Sequence, residues 1–307
     1  MDPQVLNRKK QLPWTVWLSV GIIVLMSLVA LFASVISPYD PTRMQIGQSN
    51  YPPAWYHTAR GDGHAEHLLG TDIYGRDIFS HVLHGTRAAM FLALIAIPLT
   101  ALIGTLVGVL AGLGNKTTEA IFLRLIDIVS AAPSFMFAVI IIFILRATPT
   151  GEIFGGLITL TLAFALASWV NLARLVYTST LRIKQQEFMG AARSLGAGLL
   201  HQIFKHILPH VSHLIIAWVV SNVPAVILLE ALMGYIGIQI LQRTDGTSFQ
   251  DLSWGGLIFM GRSHLKTNPF MLLIPTLCIL AISMSFSILG EYLSERTNPQ
   301  LELSQII

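Results

Sequence analysis

Gly190–Pro209 reads GAARSLGAGLLHQIFKHILP, a compact polar insert between two long apolar stretches. Just before and within it, Phe188, Ala191, Ala192 and Leu195 recur at i, i+3, i+4 and i+7, the apolar stripe of a helix. Gly196 stands where such a helix stops in a left-handed turn. A second stripe runs through Leu199, Leu200, Ile203, Phe204 and Ile207, with His201, Gln202, Lys205 and His206 on the opposite face. Pro209 suits the first turn of the next helix, where its missing N–H loses no bond. The pattern predicts a helix–turn–helix of two amphipathic pieces, too polar to span lipid and too regular for a loose loop. Three fates are open to it: the headgroup layer, its own bundle, or another protein. The small residues Gly190, Ala191 and Ala192 favour close helix contact, and hence packing or docking.

The chain around the insert suits lipid as its solvent. It is 53% hydrophobic and only 11% charged, whereas a soluble domain carries about 25% charged residues. Six apolar runs are candidate spans: Trp14–Ile36, Ala88–Leu113, Ile121–Leu145, Ile153–Val176, Val211–Ile238 and Phe270–Tyr292. The first follows Arg8, Lys9 and Lys10, as a signal peptide would. It is longer than the roughly 7–15 residues of a signal h-region, and no small-x-small cleavage site follows, so it reads as an uncleaved span. Pro98, Gly104, Gly108, Pro133, Pro224 and Pro275 fall within the runs; a bundle tolerates them because neighbouring helices satisfy the freed backbone groups. Cys278 is a lone cysteine, which excludes an internal disulfide.

Charge sets the expected orientation. With the N-terminus inside, eleven of the nineteen Lys and Arg fall on inner segments: Arg8, Lys9, Lys10, Lys116, Arg124, Arg174, Arg182, Lys184, Arg193, Lys205 and Arg296. The positive-inside rule then places both termini and the insert in the cytoplasm. The net charge of +3 comes from basic residues at the ends of apolar runs, and nucleic-acid binding is excluded on that ground.

Gly190-Ala-Ala-Arg-Ser-Leu-Gly196, nine further residues, and His206-Ile-Leu-Pro209 together resemble the cytoplasmic loop signature of binding-protein-dependent ABC importer permeases. Gly190 stands where that signature has a glutamate; Glu187, one turn earlier, is the nearest acid. Other stretches are similar to the C-type subunit of the peptide/nickel branch. They are His67-Leu-Leu-Gly-Thr-Asp72 with Gly75-Arg-Asp77, Ser80 and Gly85; Arg124-Leu-Ile-Asp127 with Ala132-Pro-Ser134; Ser253-Trp-Gly255; and Leu289-Gly290 with Leu293. The resemblance covers roughly residues 10–299 and lies in the order and spacing of these blocks.

The resemblance implies an all-α membrane protein of the type I ABC importer permease fold. Six transmembrane helices carry a cytoplasmic coupling-helix insert between spans 4 and 5. Residues 1–87 would hold a cytoplasmic tail, the first span and a long extracytoplasmic loop. Residues 88–296 would form the permease core, with the coupling loop at about 180–209, and 297–307 a cytoplasmic tail. The coupling residues implied are Glu187, Gly190, Ala191, Ala192, Arg193 and Gly196, with Leu208 and Pro209 fixing the return into the membrane. The implied partners are a second permease subunit, two ATP-binding subunits and an extracytoplasmic solute-binding protein, in the plasma membrane of a bacterium or archaeon. ATP and Mg belong to the partner ATPase. Gly114-Asn-Lys-Thr117 lacks the glycine before lysine that a phosphate loop needs, so this chain is expected to bind no cofactor and to have no catalytic residues. Di- or oligopeptides are the implied cargo, with nickel or another small solute as alternatives.

Two residue sets compete with that reading. Glu230, an intramembrane carboxylate, and Asn222 are candidates for the translocation path or the bundle interior. An ion-coupled transporter would use several such carboxylates and inverted repeats, and Glu230 is the one clear candidate. His57, His64, His67, His81 and His84 gather in the outer loop. They read as solvated or hydrogen-bonded side chains rather than as the metal site of a membrane enzyme. Arg174 reads as a cation snorkelling to the headgroups, and Arg76 with Asp77 as a local surface pair of little energetic weight.

Overall fold

A computed structural model describes residues 12–45, 47–58, 61–62, 64–236, 252–265 and 268–297. The basic triplet Arg8–Lys10, the stretch 237–251 that includes the end of the expected fifth span, and the tail 298–307 lie outside the described residues. Helix α1 (Trp14–Ile36) matches the first apolar run end to end. A loop follows with a two-residue antiparallel ladder, β1 (His57–Thr58) and β2 (Gly61–Asp62). Then come α2 (Ile78–Leu113), α3 (Lys116–Ser130), α4 (Ser134–Arg146), α5 (Pro149–Ser168) and α6 (Val170–Lys184). The insert gives α7 (Glu187–Ser194) and α8 (Leu199–His201), and α9 (Leu208–Ile236), α10 (Trp254–Gly261) and α11 (Phe270–Thr297) complete the bundle.

Among the described residues, four helices are long and apolar enough to cross a membrane: α1, α2, a continuous Leu199–Ile236 helix and α11. Two bent pairs, α3 with α4 at 90° and α5 with α6 at 44°, raise the number to six when each pair is one span. The expected third span is therefore broken rather than straight. The break falls at Ala131-Ala132-Pro133, because a proline disfavours helical geometry at the residue before it.

Helix α2 starts ten residues before its apolar run, because the Asp77 carboxylate caps it by accepting from Ser80 N. It packs against α1, α5, α6 and α9. Its contact with α6 is set by small residues. A Cβ on Gly104 would lie 2.8 Å from Trp169 O, one on Gly108 2.6 Å from Ala173 O, and one on Gly112 2.6 Å from Thr180 Cγ2. The three glycines, one turn apart, let two backbones approach as a larger side chain would not.

The segment before α2 folds into a cap over one end of the bundle. Gly70 and Gly75 take φ of +79° and +75°, and a Cβ on either would meet a backbone oxygen at 2.2 Å. These turns fold the 67–77 block back on itself. Asp72 accepts from Arg76 Nε at 2.7 Å and from Arg76 N at 2.8 Å, and Asp77 pairs with His67 Nδ1 at 3.0 Å. Arg76 and Asp77 thus take separate partners, and all four side chains are buried. The expected surface pair is replaced because the capping geometry turns Asp77 inward, away from its chain neighbour. Arg76 Nη2 also meets Met260 Sδ at 3.1 Å, and Trp254 Nε1 donates to Val82 O at 3.1 Å. The first contact ties the cap to α10, and the second ties α10 to α2.

Candidate functional site

At the opposite end of the bundle from the cap, the insert forms a hairpin of α7 and α8. Helix α7 ends in a Schellman motif: Gly196 N donates to Arg193 O and Ala197 N to Ala192 O, both at 3.0 Å. Gly196 itself takes φ of +82°, as the sequence predicts. The return strand differs from expectation. Residues Leu199–Ile236 form one continuous helix, with wide π turns over Gln202–Ile207. Pro209 therefore sits inside a helix instead of opening one. Its missing N–H and its ring disturb the regular ladder behind it, and a π turn lets the helix run on.

The hairpin has two unlike faces. Met189 and Ile207 are fully buried in a cluster with Leu172, Val176, Val109 and Val211, which roots it in α2, α6 and α9. The apolar stripe on α7 faces away from this cluster: Phe188, Ala191 and Leu195 are exposed, Leu195 at 89%. Leu199, Leu200 and Phe204 are exposed beside it. Glu187 is exposed at the start of α7, while Gly190 and Ala192 are half-buried. A side chain at Gly190 would meet nothing within 4 Å, so the backbone there does not require glycine. Phe188 stacks on His210 with ring centroids 5.3 Å apart, while Leu208 is half-buried and Pro209 exposed.

Polar bonds connect the hairpin to the bundle. Arg193 donates through Nη2 to Lys184 O at 2.9 Å and through Nε to Met189 O at 3.2 Å. Lys184 Nζ reaches Gly112 O at 3.0 Å and the carbonyls of Leu113 and Gly114 at 3.4 Å. Both cations occupy helix C-termini, where orphan carbonyls and the helix dipole favour positive charge. Lys184 and Met189 are the residues that sequence reasoning passed over. A basic residue in the last turn of α6 was the available signal for Lys184.

Glu230 and Asn222 do not join this site. Glu230 lies 22 residues beyond Leu208 on the same helix, roughly 33 Å away along its axis. It is 4% exposed and accepts from the Ser253 hydroxyl and Gly255 N–H at the start of α10. Asn222 is half-buried and donates to Trp218 O on its own helix at 2.8 Å. Of the outer-loop histidines, His67 bridges Asp77 and Gln48, and His64 stacks on Tyr51. Among the described residues, no three His, Cys, Asp or Glu side chains come together as metal ligands. Arg174 pairs with Asp127 at 2.9 Å instead of snorkelling alone.

Comparison with known proteins gives the family. Residues 104–299 match the model of the binding-protein-dependent transport system inner membrane component family, and residues 14–53 that of the N-terminal TM domain of oligopeptide transport permease C. The chain is 31% identical to the oligopeptide transport system permease protein OppC of Bacillus subtilis, over 91% of this chain and 84% of that protein. It is 29% identical to the dipeptide transport system permease protein DppC of Haemophilus influenzae, over 91% and 88%. It is also 29% identical to the di/tripeptide transport system permease protein DppC of Pseudomonas aeruginosa, over 89% and 84%. With the two-faced hairpin, the multi-span bundle and these matches together, the chain belongs to the family of binding-protein-dependent transport system inner membrane components, the permease subunits of ABC importers.

Proposed function

We propose that this chain is one of two permease subunits of an ATP-driven peptide importer, and that its hairpin docks on a separate ATP-binding chain. The carrying observation is the two-faced hairpin. Its inner face is rooted by Met189 and Ile207, while its outer face leaves Leu195, Leu199, Leu200 and Phe204 in the open. An apolar surface this concentrated marks a protein contact. Arg193 and Lys184 link that surface to the ends of α6 and α2. A displacement of the hairpin would therefore move the tightly packed α2–α6 pair with it. ATP and Mg act on the partner, and closure of the partner's ATP sites supplies the motion. Glu187, Gly190, Ala191, Ala192, Arg193 and Gly196 form the docking element, and Leu208 and Pro209 its root.

Lys116, Arg182, Lys184, Arg193 and Lys205 collect toward the hairpin end, which supports a cytoplasmic hairpin and cytoplasmic termini. The cap then faces outward, where an extracytoplasmic binding protein delivers cargo. Peptides are the cargo because the relatives over nine-tenths of the chain carry peptide-transport names. The test is co-purification. An ATP-binding chain co-expressed with this chain should co-purify with the wild type and be lost on Gly196→Asp, which strains the turn. Peptide uptake that persists without any ATPase partner would overturn the reading.

A further inference from the structure

A second polar feature lies apart from the hairpin. On α6, Asn171, Arg174, Thr178 and Arg182 are all exposed, at steps of three and four residues that align them on one face. Arg174 Nη2 donates to Asp127 Oδ1 on α3 at 2.9 Å and contacts Ser130 Oγ at 3.3 Å. The pair is open, with the side chains 52% and 70% exposed. Nε and Nη1 of Arg174 and Oδ2 of Asp127 have no partner among the described residues.

The level of this pair is fixed by its neighbours. Gly108 packs on Ala173 and Val176, on either side of Arg174. Gly108 lies five residues before the end of α2, about 8 Å along the helix. The apolar run of α2 continues past that level to Leu113, so the pair sits within the apolar layer. A long Arg can snorkel, but the short side chain of Asp127 cannot. Charges at such a level face a bundle interior or a water-filled cavity rather than lipid. The core of a subunit interface is depleted in charged residues. A polar stripe that runs unbroken through three turns to Arg182, beside the hairpin end, fits the wall of an aqueous path better.

We infer that the α6 stripe lines the hairpin-side part of the translocation path, and that the Arg174–Asp127 pair receives the charged ends of a zwitterionic peptide. The inference rests on the peptide-importer reading. Arg174 takes the peptide carboxylate through its open guanidinium edge, and Asp127 takes the ammonium group. Self-pairing neutralises these two side chains when the site is empty, and a zwitterion neutralises them when it is filled. The exchange of one ion pair for another leaves net affinity low, as passage requires, since bound cargo must also leave.

The test uses the assembled transporter in proteoliposomes, with Cys278→Ala in this chain and labelling read on this chain by mass. Single cysteines are placed by Asn171→Cys and Thr178→Cys, with Leu28→Cys on the exposed face of α1 as the lipid control. A membrane-impermeant cationic thiosulfonate is applied from both sides. Asn171→Cys and Thr178→Cys should react about tenfold or more faster than Leu28→Cys, as the cost of bringing a cation into hydrocarbon predicts. Millimolar alanyl-alanine should slow the reaction at Thr178→Cys, while the N-acetylated, C-amidated dipeptide should not, and the protection should vanish with Arg174→Gln. If both stripe cysteines are as silent as the control, a partner subunit covers this face and the inference fails. Equal protection by the blocked dipeptide also overturns it. Alanyl-alanine uptake is measured in the same vesicles. Silent cysteines with intact uptake sink the inference and leave the importer reading standing, whereas import of a different solute with no peptide uptake sinks that reading.

Discussion

Gly196 and Gly190 are six residues apart in the same hairpin and have opposite physical standing. Gly196 holds φ of +82°, a conformation that costs an L-residue about 1–2 kcal/mol. Gly190 lies within α7 with open space around its Cβ position, where glycine lowers helix stability by about 0.5–1 kcal/mol relative to alanine. Amide exchange over residues 187–197 should therefore speed up with Gly196→Ala and slow down with Gly190→Ala. The same open space admits the Cβ of Gly190→Glu, the change that would restore the acid of the resembled signature. In the cap, the His67–Asp77 pair is about 99% buried on both sides. Leaving one partner of a buried hydrogen bond unsatisfied costs about 1–3 kcal/mol. Asp77→Ala also strips the N-cap from α2, worth about 0.5–2 kcal/mol, and thermal unfolding in detergent should show a combined loss of about 2 kcal/mol or more. A surface pair would show almost none.

At the scale of elements, the α2–α6 contact and the α9–α10 contact use different physics. The first depends on three glycines that bring the backbones together, and the hydrocarbon around them supplies no hydrophobic drive. Gly108→Ala places a methyl 2.6 Å from Ala173 O. Overpacking of this kind costs about 1–3 kcal/mol, read as a lower unfolding midpoint in detergent. Gly21 on α1 has nothing within 4 Å of its Cβ position and lies inside the helix, so Gly21→Ala should not lower that midpoint and should raise it slightly. The second contact is polar. Glu230 receives the Ser253 hydroxyl and Gly255 N–H, and Ser253 in turn caps α10 through Gly256 N. A carboxylate at the start of a helix completes donors that the helix leaves unpaired. Glu230 thereby joins α9 to α10.

For the whole molecule, the cap and the hairpin stand at opposite ends of α2, which Asp77 caps at one end and Lys184 meets at the other. The hairpin is rooted in the bundle by two buried side chains, Met189 and Ile207. Docking can then be impaired without harm to the membrane part. Ala192→Arg should leave insertion and expression intact while uptake falls and ATP hydrolysis by the partner no longer depends on cargo. A normal ratio of uptake to hydrolysis in proteoliposomes would count against the hairpin as the coupling element. The fold is largely legible in the sequence, because lipid makes span length and apolar composition decisive. Trp14–Ile36 matches its expected bounds without change. The start of α2 was missed because its first turns belong to the capped, buried loop rather than to the apolar run. The 90° break at Pro133 was missed because membrane helices often tolerate proline, so composition alone does not distinguish a tolerated one from a break.

The sequence by itself determined a multi-span helical chain, a hairpin stopped at Gly196, and a family resemblance carried by ordered short blocks. These follow from local rules: periodicity, glycine conformation and the length of an apolar run. Only the tertiary structure decided which charges pair. It took Asp77 from Arg76 and gave it to His67, turned Glu230 toward Ser253 and Gly255, and set Asp127 beside Arg174 across 47 residues of chain. Ionic partners are chosen by three-dimensional proximity and burial. Neither is encoded in the spacing of residues along one strand of sequence.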